Sequence, residues 1–425
     1  MSEGESNDRT ILDYLNEDCW RIVLRDVPIP DIVRSERVSR RWQRVVLQYL
    51  RGTRFSFSFD WDSVDPFDAY PFYLPKSMYE SFEMWTTKLG SSVIGAYCKD
   101  RESLKTLIEN CPNLEALTLV NLEEPEANTK EFPENLLKNF WCLKQICFFN
   151  TCNLSDRFVS QNIADKVLEE LVFYQCYEVT GECLTTANLS KLKYLAFKRC
   201  FDLRAAHLIS STNQLGELTK LELIGVSKEI SQKIQFVLDK MPKLEHLEIH
   251  TDAGRYNGYL ETYEPICRLS SLTHLRIDLK MTDESVEAIT RCCKQLETLD
   301  LGDCEFLNSE GLEAIGRNAG ERLTQLGLQY FCDLEDDDVV NYVRSCPALG
   351  WLTIIGTCQI TPALPALVSA ARHEVCPGSE LVLDISETKL TDPYYRHSFL
   401  NEDDGDMEEY EDIQEKYEDL AVILD

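Results

Sequence analysis

Six histidines occur in the 425 residues, and three fall close together, in His246-Leu-Glu-Ile-His250 and at His274. Around them stand Glu222, Glu248, Arg276, Asp278 and Asp300. Imidazoles and carboxylates can hold a dication, carry a proton or contact a partner. On a strand, His246 and His250 would lie roughly 13 Å apart, too far to share one ion. The segment also lacks the His-Glu-x-x-His order of a helical zinc protease. No metal and no cofactor is therefore expected. Seventeen cysteines are present, none at Cys-x-x-Cys spacing, so a zinc ribbon and a dithiol redox motif are absent. A nucleophilic thiol needs an electropositive neighbourhood, and an acidic chain offers none in evident form. No phosphate-cradling Gly-rich loop and no Gly-x-Ser-x-Gly elbow occurs. The chain reads as a binder without catalytic residues.

The elements that would carry these residues form a repeat. The hexamer apolar-x-x-apolar-x-apolar recurs at Leu114/Leu117/Leu119, Leu143/Ile146/Phe148, Leu168/Leu171/Phe173, Leu192/Leu195/Phe197 and Leu218/Leu221/Leu223. It continues at Leu244/Leu247/Ile249, Leu272/Leu275/Ile277, Leu296/Leu299/Leu301, Leu323/Leu326/Leu328 and Leu349/Leu352/Ile354, with a degraded copy ending at Leu383 and Ile385. The intervals fit leucine-rich repeats, in which a short strand and a return leg bury their leucines only against neighbours. The return legs look helical, as in Asp283–Ile289 and Ser309–Ile315. The fold class is α/β: a solenoid with parallel strands on the concave face and helices on the convex one. The outward residues then form rows. The middle row reads Thr118, Cys147, Val172, Ala196, Glu222, Glu248, Arg276, Asp300, Gly327, Thr353 and Asp384, apolar first and charged, mainly acidic, later. Flanking rows add Tyr194, His246, His274 and the aromatic anchor Trp351. Target-binding residues are expected among Tyr194, Glu222, His246, Glu248, His274, Arg276, Asp300 and Trp351.

Composition agrees. Apolar residues make up 44% and aromatics 10%, enough for a large core. The net charge of −30 disfavours nucleic acid and an anionic membrane face and is compatible with a basic protein partner. No stretch is apolar for the length of a bilayer span. The N-terminus lacks the apolar core of a secretory signal, so the protein is expected in the cytoplasm, the nucleus or both.

Residues 12–50 differ from the repeats. Asn16 can cap a helix carrying Cys19, Trp20, Val23 and Leu24, and Pro28-Ile-Pro30 breaks it. Asp31 can cap a second helix with Ile32 and Val33. Ser39 can cap a third, with Trp42, Val45, Val46 and Tyr49 on one face. A unit this small is near the limit of independent folding and wants a partner surface.

This segment is similar to the F-box. Leu15 matches its leading Leu; Cys19/Trp20 and Val23/Leu24 match its apolar pairs; Asp31-Ile32, Val38 and Trp42 fall at the family's spacing. Residues 296–328 resemble the cysteine-containing leucine-rich repeats of F-box proteins. The resemblance implies the substrate-recognition subunit of a Skp–cullin–F-box ubiquitin ligase, in which the F-box docks on the Skp adaptor and the repeats hold a protein target. Leu15, Trp20, Val23, Leu24 and Ile32 are the expected adaptor contacts, with Val38 and Trp42 holding the helices together. Two other readings stay open. Residues 12–50 could be a helical cap on the solenoid. The whole chain could be a scaffold or chaperone-like binder of basic proteins, independent of a ligase.

The expected organisation is a disordered segment 1–11, an F-box 12–50, a linker and irregular cap 51–110, about eleven repeats over 111–395 and an acidic tail 396–425. Within 51–110, Phe55, Phe57, Phe59 and Trp61 alternate as in a half-buried strand, Pro66–Pro75 reads as a loop, and 81–110 as a helical return. Residues 401–425 carry twelve Asp+Glu and one Lys. They read either as solvated tail or, through Tyr410, Ile413, Tyr417, Leu420 and Leu424, as an amphipathic helix that folds back on the repeats.

Overall fold

Every leucine hexamer becomes a strand at the position its spacing predicts. In the computed structural model the described residues are 11, 14–27, 29–51, 54–57, 86–87, 89–98, 101–121, 136–151, 154–251, 262–357, 359–385 and 421–424. They fall into two compact units, one built from Met1–Tyr177 with Thr186–Asn188, the other from Glu178–Thr185 with Leu189–Asp425.

The first unit contains α1 (Glu17–Leu24), α2 (Ile29–Ser35), α3 (Arg40–Arg51), β1 (Phe55–Phe57), β2 (Val93–Cys98), α4 (Arg101–Asn110), β3 (Ala116–Val120), β4 (Gln145–Phe149), α5 (Asp156–Ile163) and β5 (Glu170–Tyr174). Its strands pair in parallel, in chain order. The Asn16 side chain caps α1 by accepting from Cys19 N, and Ser39 Oγ accepts from Trp42 N at the start of α3. Trp20 and Trp42 meet edge to face, ring centroids 5.2 Å apart. Trp42 Nε1 donates to Ser35 Oγ at 2.8 Å, which ties α3 to the end of α2.

This packing redistributes the expected adaptor contacts. Trp20, Leu24 and Ile32 are buried with Val46, Tyr49 and Leu50. They form the interior of the three helices, because a unit this small has few other residues to exclude water with. Leu15 is half-buried. Val23 stays 51% exposed, and Val38, expected inside, is 77% exposed. Ile22 is exposed beside Val23.

The second unit contains β6 (Tyr194–Lys198), α6 (Ala205–Ser211), β7 (Lys220–Val226), α7 (Lys228–Leu238), β8 (His246–Thr251), α8 (Glu264–Cys267), β9 (His274–Asp278), α9 (Asp283–Cys292), β10 (Thr298–Leu301), α10 (Ser309–Ala319), β11 (Gln325–Gln329), α11 (Asp336–Ser345), β12 (Trp351–Ile355), α12 (Leu364–Val375), β13 (Leu381–Asp384) and β14 (Ala421–Leu424). From β6 to β13 all neighbours are parallel. Their leucines lie in one row, Leu221, Leu247, Leu275, Leu299, Leu326, Leu352 and Leu383, partner to partner across the strands. All of them are buried, and each contributes roughly 1.5–3 kcal/mol of apolar transfer, so the row is the spine of the unit. Helix starts on the return legs are chemically marked: Thr282 and Ser285 exchange a capping box at α9, and Asn308 caps α10 by accepting from Glu310 N.

Within each unit, hydrogen bonds outside the strands tie neighbouring repeats together. The N–H just before a strand donates to the preceding repeat, as in Glu297 N to Thr273 O and Thr324 N to Glu297 O, both 2.8 Å. After several strands the exit N–H donates to the following repeat, as in Asn121 N to Phe149 O, Arg199 N to Ile224 O and Tyr330 N to Ile355 O, whereas Gly302 N after β10 donates back to Ile277 O. Aiming the exit N–H sideways needs a left-handed residue. Asn121, Asn150, Gln175, Arg199 and Tyr330 have φ between 50° and 57°, and Gly356 stands at the same place after β12 with φ 69°.

Two expectations change. Residues 81–110 are not one helical return, because β2 lies inside them. Val93, Ala96 and Cys98 repeat the hexamer with small residues in place of leucine, all three buried, and Ala96 and Cys98 pair with Leu117 and Leu119. Leu424 lies on a strand, not a helix: β14 pairs antiparallel with β13, Leu424 opposite Leu381. The other helix-forming positions of the tail, Phe59, Trp61 and Pro66–Pro75 lie outside the described residues. Among the described residues no helix is long and apolar enough to cross a membrane.

Candidate functional site: the outward strand face of the second unit

Strand alternation sends Leu and Ile of β7–β10 inward and leaves Glu222, Glu248, Arg276 and Asp300 side by side on the other face. A flanking row places Lys220, His246, His274, Thr298, Gln325 and Trp351 on successive strands. The sequence-derived rows are therefore correct in register. Their depth is not what the rows suggest.

Glu222 sits beneath the surface, its side chain 5% exposed. It accepts from Tyr194 Oη at 2.5 Å, and Lys198 Nζ at 2.7 Å on Oε2 and Lys220 Nζ at 2.9 Å on Oε1 complete its partners. Lys220 also lies over the Tyr194 ring, 4.7 Å from its centroid. Tyr194, expected as an exposed contact, is buried: its ring packs under the lysine stem and its hydroxyl is committed to Glu222. Burial alone would raise the Glu222 carboxyl, but the lysines and Tyr194 outweigh it and hold the group below its ordinary range.

Glu248 is held from the other side. Arg276 Nη1 lies 3.3 Å and His250 Nε2 3.0 Å from its Oε1. Here too burial would raise the carboxyl, yet the nearby His246 and His250 imidazoles and the charge of Arg276 drive it well below the usual carboxylate range. Arg276 reaches on to Asp300, Nε to Oδ2 at 3.0 Å. That contact does not compensate burial, which pushes Asp300 upward, as it does Asp278 next to His250. His274 stacks on His246 at 5.5 Å between centroids, and burial together with His246 lowers it.

The face is thus layered. Glu222 and Glu248 lie deep, while Lys220, His274 and Arg276 reach outward. A partner would first meet donors rather than the acidic row that the middle residues suggest. Three strands along the flanking row from His274, Trp351 is 42% exposed, with Nε1 donating to Thr353 Oγ1. On β3–β5 of the first unit, by contrast, Thr118, Cys147 and Val172 of the middle row are buried, so these residues offer no free contact surface.

Five of the described thiols are the reverse of activated nucleophiles. Burial pushes the thiols of Cys111, Cys267 and Cys293 up to about 12 and those of Cys304 and Cys346 upward as well. Such thiols act as small hydrophobes.

No protein-family model and no curated relative matches the chain. Among solved structures, a chain in the crystal structure of the Rad7 and Elc1 complex in yeast aligns with a TM-score of 0.51 and 16% identity, covering 81% of this chain and 88% of that one. An internalin from Listeria monocytogenes aligns with a TM-score of 0.44 and 14% identity over 88% of this chain and 94% of its own. The first similarity is one of fold. With the hexamer strands and their registered leucine row, it gives the chain an α/β leucine-rich-repeat fold.

Proposed function

We propose that this repeat protein is the non-catalytic substrate-recognition subunit of a Skp–cullin–F-box type ubiquitin ligase. One observation carries the reading: the three N-terminal helices have their own interior and still leave Ile22, Val23 and Val38 exposed. Apolar side chains left out of so small a unit mark a docking surface for an adaptor. The resemblance of 12–50 to the F-box names that adaptor as the Skp type. The yeast neighbour, solved as a complex of Rad7 with Elc1, supports a partner-bound role for the fold. On this reading the second unit's outward strand face, with Arg276, His274 and Trp351 outermost, holds the target protein. The receptor contributes proximity, raising the target's effective concentration near the conjugating enzyme. Such a subunit works in the cytoplasm or nucleus.

The test is co-purification with the Skp adaptor. Wild-type chain is expected to form a stoichiometric complex, and Val23→Asp/Val38→Asp to lose it while keeping the far-ultraviolet spectrum and thermal midpoint. Both positions face water, so the variant removes contact area without opening the Trp20–Trp42 interior. A well-folded wild-type chain that binds no adaptor refutes the proposal.

A further inference from the structure

Between Glu222 and Glu248 the strand face holds three ligand-type atoms that no other group fully uses. Glu222 Oε1, His246 Nε2 and a Glu248 oxygen lie within 4.8 Å of one another. His246 Nε2 is 3.6 Å from Glu222 Oε1 and 3.9 Å from Glu248 Oε2. It is buried and makes no hydrogen bond, an uncompensated cost of the kind that calls for a missing partner.

The neighbours aim these atoms at one another. Tyr194 and Lys198 engage Glu222 on Oε2, and Arg276 and His250 engage Glu248 on Oε1. That leaves Glu222 Oε1 and Glu248 Oε2 turned toward His246. Metal-binding carboxylates are oriented in this way, by groups that hold the oxygen the ion does not use. One competitor stands in the way: Lys220 Nζ, 2.9 Å from Glu222 Oε1 on a half-exposed side chain that can swing to water. The two carboxylates of the spot are already matched by Lys198, Lys220 and Arg276, so a dication enters only as Lys220 leaves.

We propose that Glu222, His246 and Glu248 form a site for a transition-metal dication of the Zn2+ class, with the displacement of Lys220 opening it. One imidazole nitrogen and two carboxylate oxygens suit zinc, whose tetrahedral ligand atoms lie roughly 3.3 Å apart at bonds of about 2.0–2.1 Å. His246 Nε2, at 3.6 Å and 3.9 Å from the two oxygens, has to close by a few tenths of an ångström, and the two carboxylate oxygens lie within 4.8 Å of each other. His246 and His250 do not share the ion, in keeping with their spacing along β8; the second and third ligands come instead from the adjacent β7 and from Glu248 between the two histidines. Three protein ligands leave the fourth position open toward the outward face, where water or a partner's side chain can fill it. The inference rests on the second unit alone and does not depend on adaptor binding.

The experiment is equilibrium dialysis of the full-length chain against Zn2+ at neutral pH, after its accessible thiols have been blocked with N-ethylmaleimide. One tight Zn2+ per chain is expected. His246→Gln and Glu248→Gln should each weaken it by about a hundredfold or more, since even groups that only orient a ligand are worth about 10–100-fold. Lys220→Met should tighten it, because it removes the competing ammonium. Thermal midpoints check that each variant is folded, and an anomalous-scattering peak among the three atoms in Zn2+-soaked crystals would place the ion. Equal Zn2+ uptake by wild type and both ligand variants, or weaker binding by Lys220→Met, overturns the proposal, as does the absence of a tight site.

Discussion

Tyr194 and Glu222 should change the sign of each other's effect on stability. Glu222→Leu removes the carboxylate that receives Tyr194, Lys198 and Lys220. The lysines can turn their ammonium groups to water, so their loss costs about 0–1 kcal/mol each. The Tyr194 hydroxyl is buried, and losing the carboxylate that accepts from it costs about 1–3 kcal/mol. Burying leucine in place of a carboxylate returns roughly 1.5 kcal/mol, for a net loss of about 1–2 kcal/mol. Tyr194→Phe in the wild-type chain removes one charge-assisted hydrogen bond and should destabilise by about 1.5 kcal/mol. In the Glu222→Leu background the same change deletes a buried hydroxyl that has lost its carboxylate and should stabilise by about 1 kcal/mol. The coupling across the cycle is then about 2–3 kcal/mol, well beyond the scatter of independent sites. Urea unfolding followed by circular dichroism, with EDTA present, measures all four proteins. If Tyr194→Phe has the same sign and size in both backgrounds, the reasoning about depth and satisfaction on this face is wrong.

Two further outcomes follow from the backbone and the thiols. Arg199 occupies a left-handed exit turn with φ 53°, so Arg199→Gly should raise stability by about 0.5–1 kcal/mol in urea unfolding; a loss would mean its side chain holds the turn. Gly356→Ala should lower it by about 1–2 kcal/mol, because an added Cβ meets the Tyr330 ring at 2.5 Å on top of a φ of 69°. Burial raises Cys111 and Cys293 from the ordinary value near 9 to about 12. In the unfolded chain these thiols ionise above about 9, so their contribution is complete below that pH and declines as pH rises toward 12. The urea midpoint should therefore fall between pH 8 and pH 10.5. At pH 8 a thiol reagent should label the exposed Cys142 and Cys292 quickly and Cys111 only on unfolding; early labelling of Cys111 would contradict its burial.

The strand positions were legible because leucine at fixed spacing has one physical use, to fill a core shared between stacked strands. β3 to β13 all fall on the predicted hexamers. β2 was missed because its inward residues are Val93, Ala96 and Cys98, whose small size hides the same period. The rows on the outward face were legible too, since alternation along a strand and registry between strands fix them. Depth was not. Whether Tyr194 and Glu222 face water depends on how far Lys198 and Lys220 fold across them from neighbouring positions, which no single strand encodes. The Glu222–His246–Glu248 trio escaped for a related reason: two of its ligands are adjacent in sequence only as alternate residues of β8, and the third comes from β7, a full repeat earlier. In the helical unit the sequence marked which residues are apolar. It did not separate Trp20 and Ile32, which face inward, from Val23 and Val38, which face out, because three short helices leave little difference between the two faces.

The donors at the two ends of the strands have a bearing on how such a chain can change length. At the strand entry the repeats give N–H groups backward, and several give one forward at the exit, as at Asn121, Asn150, Arg199 and Tyr330. Excision of one complete register interval, such as residues 299–325, joins Thr298 to Leu326, which takes the place of its register partner Leu299 and keeps donors facing acceptors. A cut of half that length strands a donor on each side of the scar and shifts the leucine row out of line. Lengthening and shortening are therefore quantised in units of a repeat, and ancestral duplication or loss within this array would have to respect the same step.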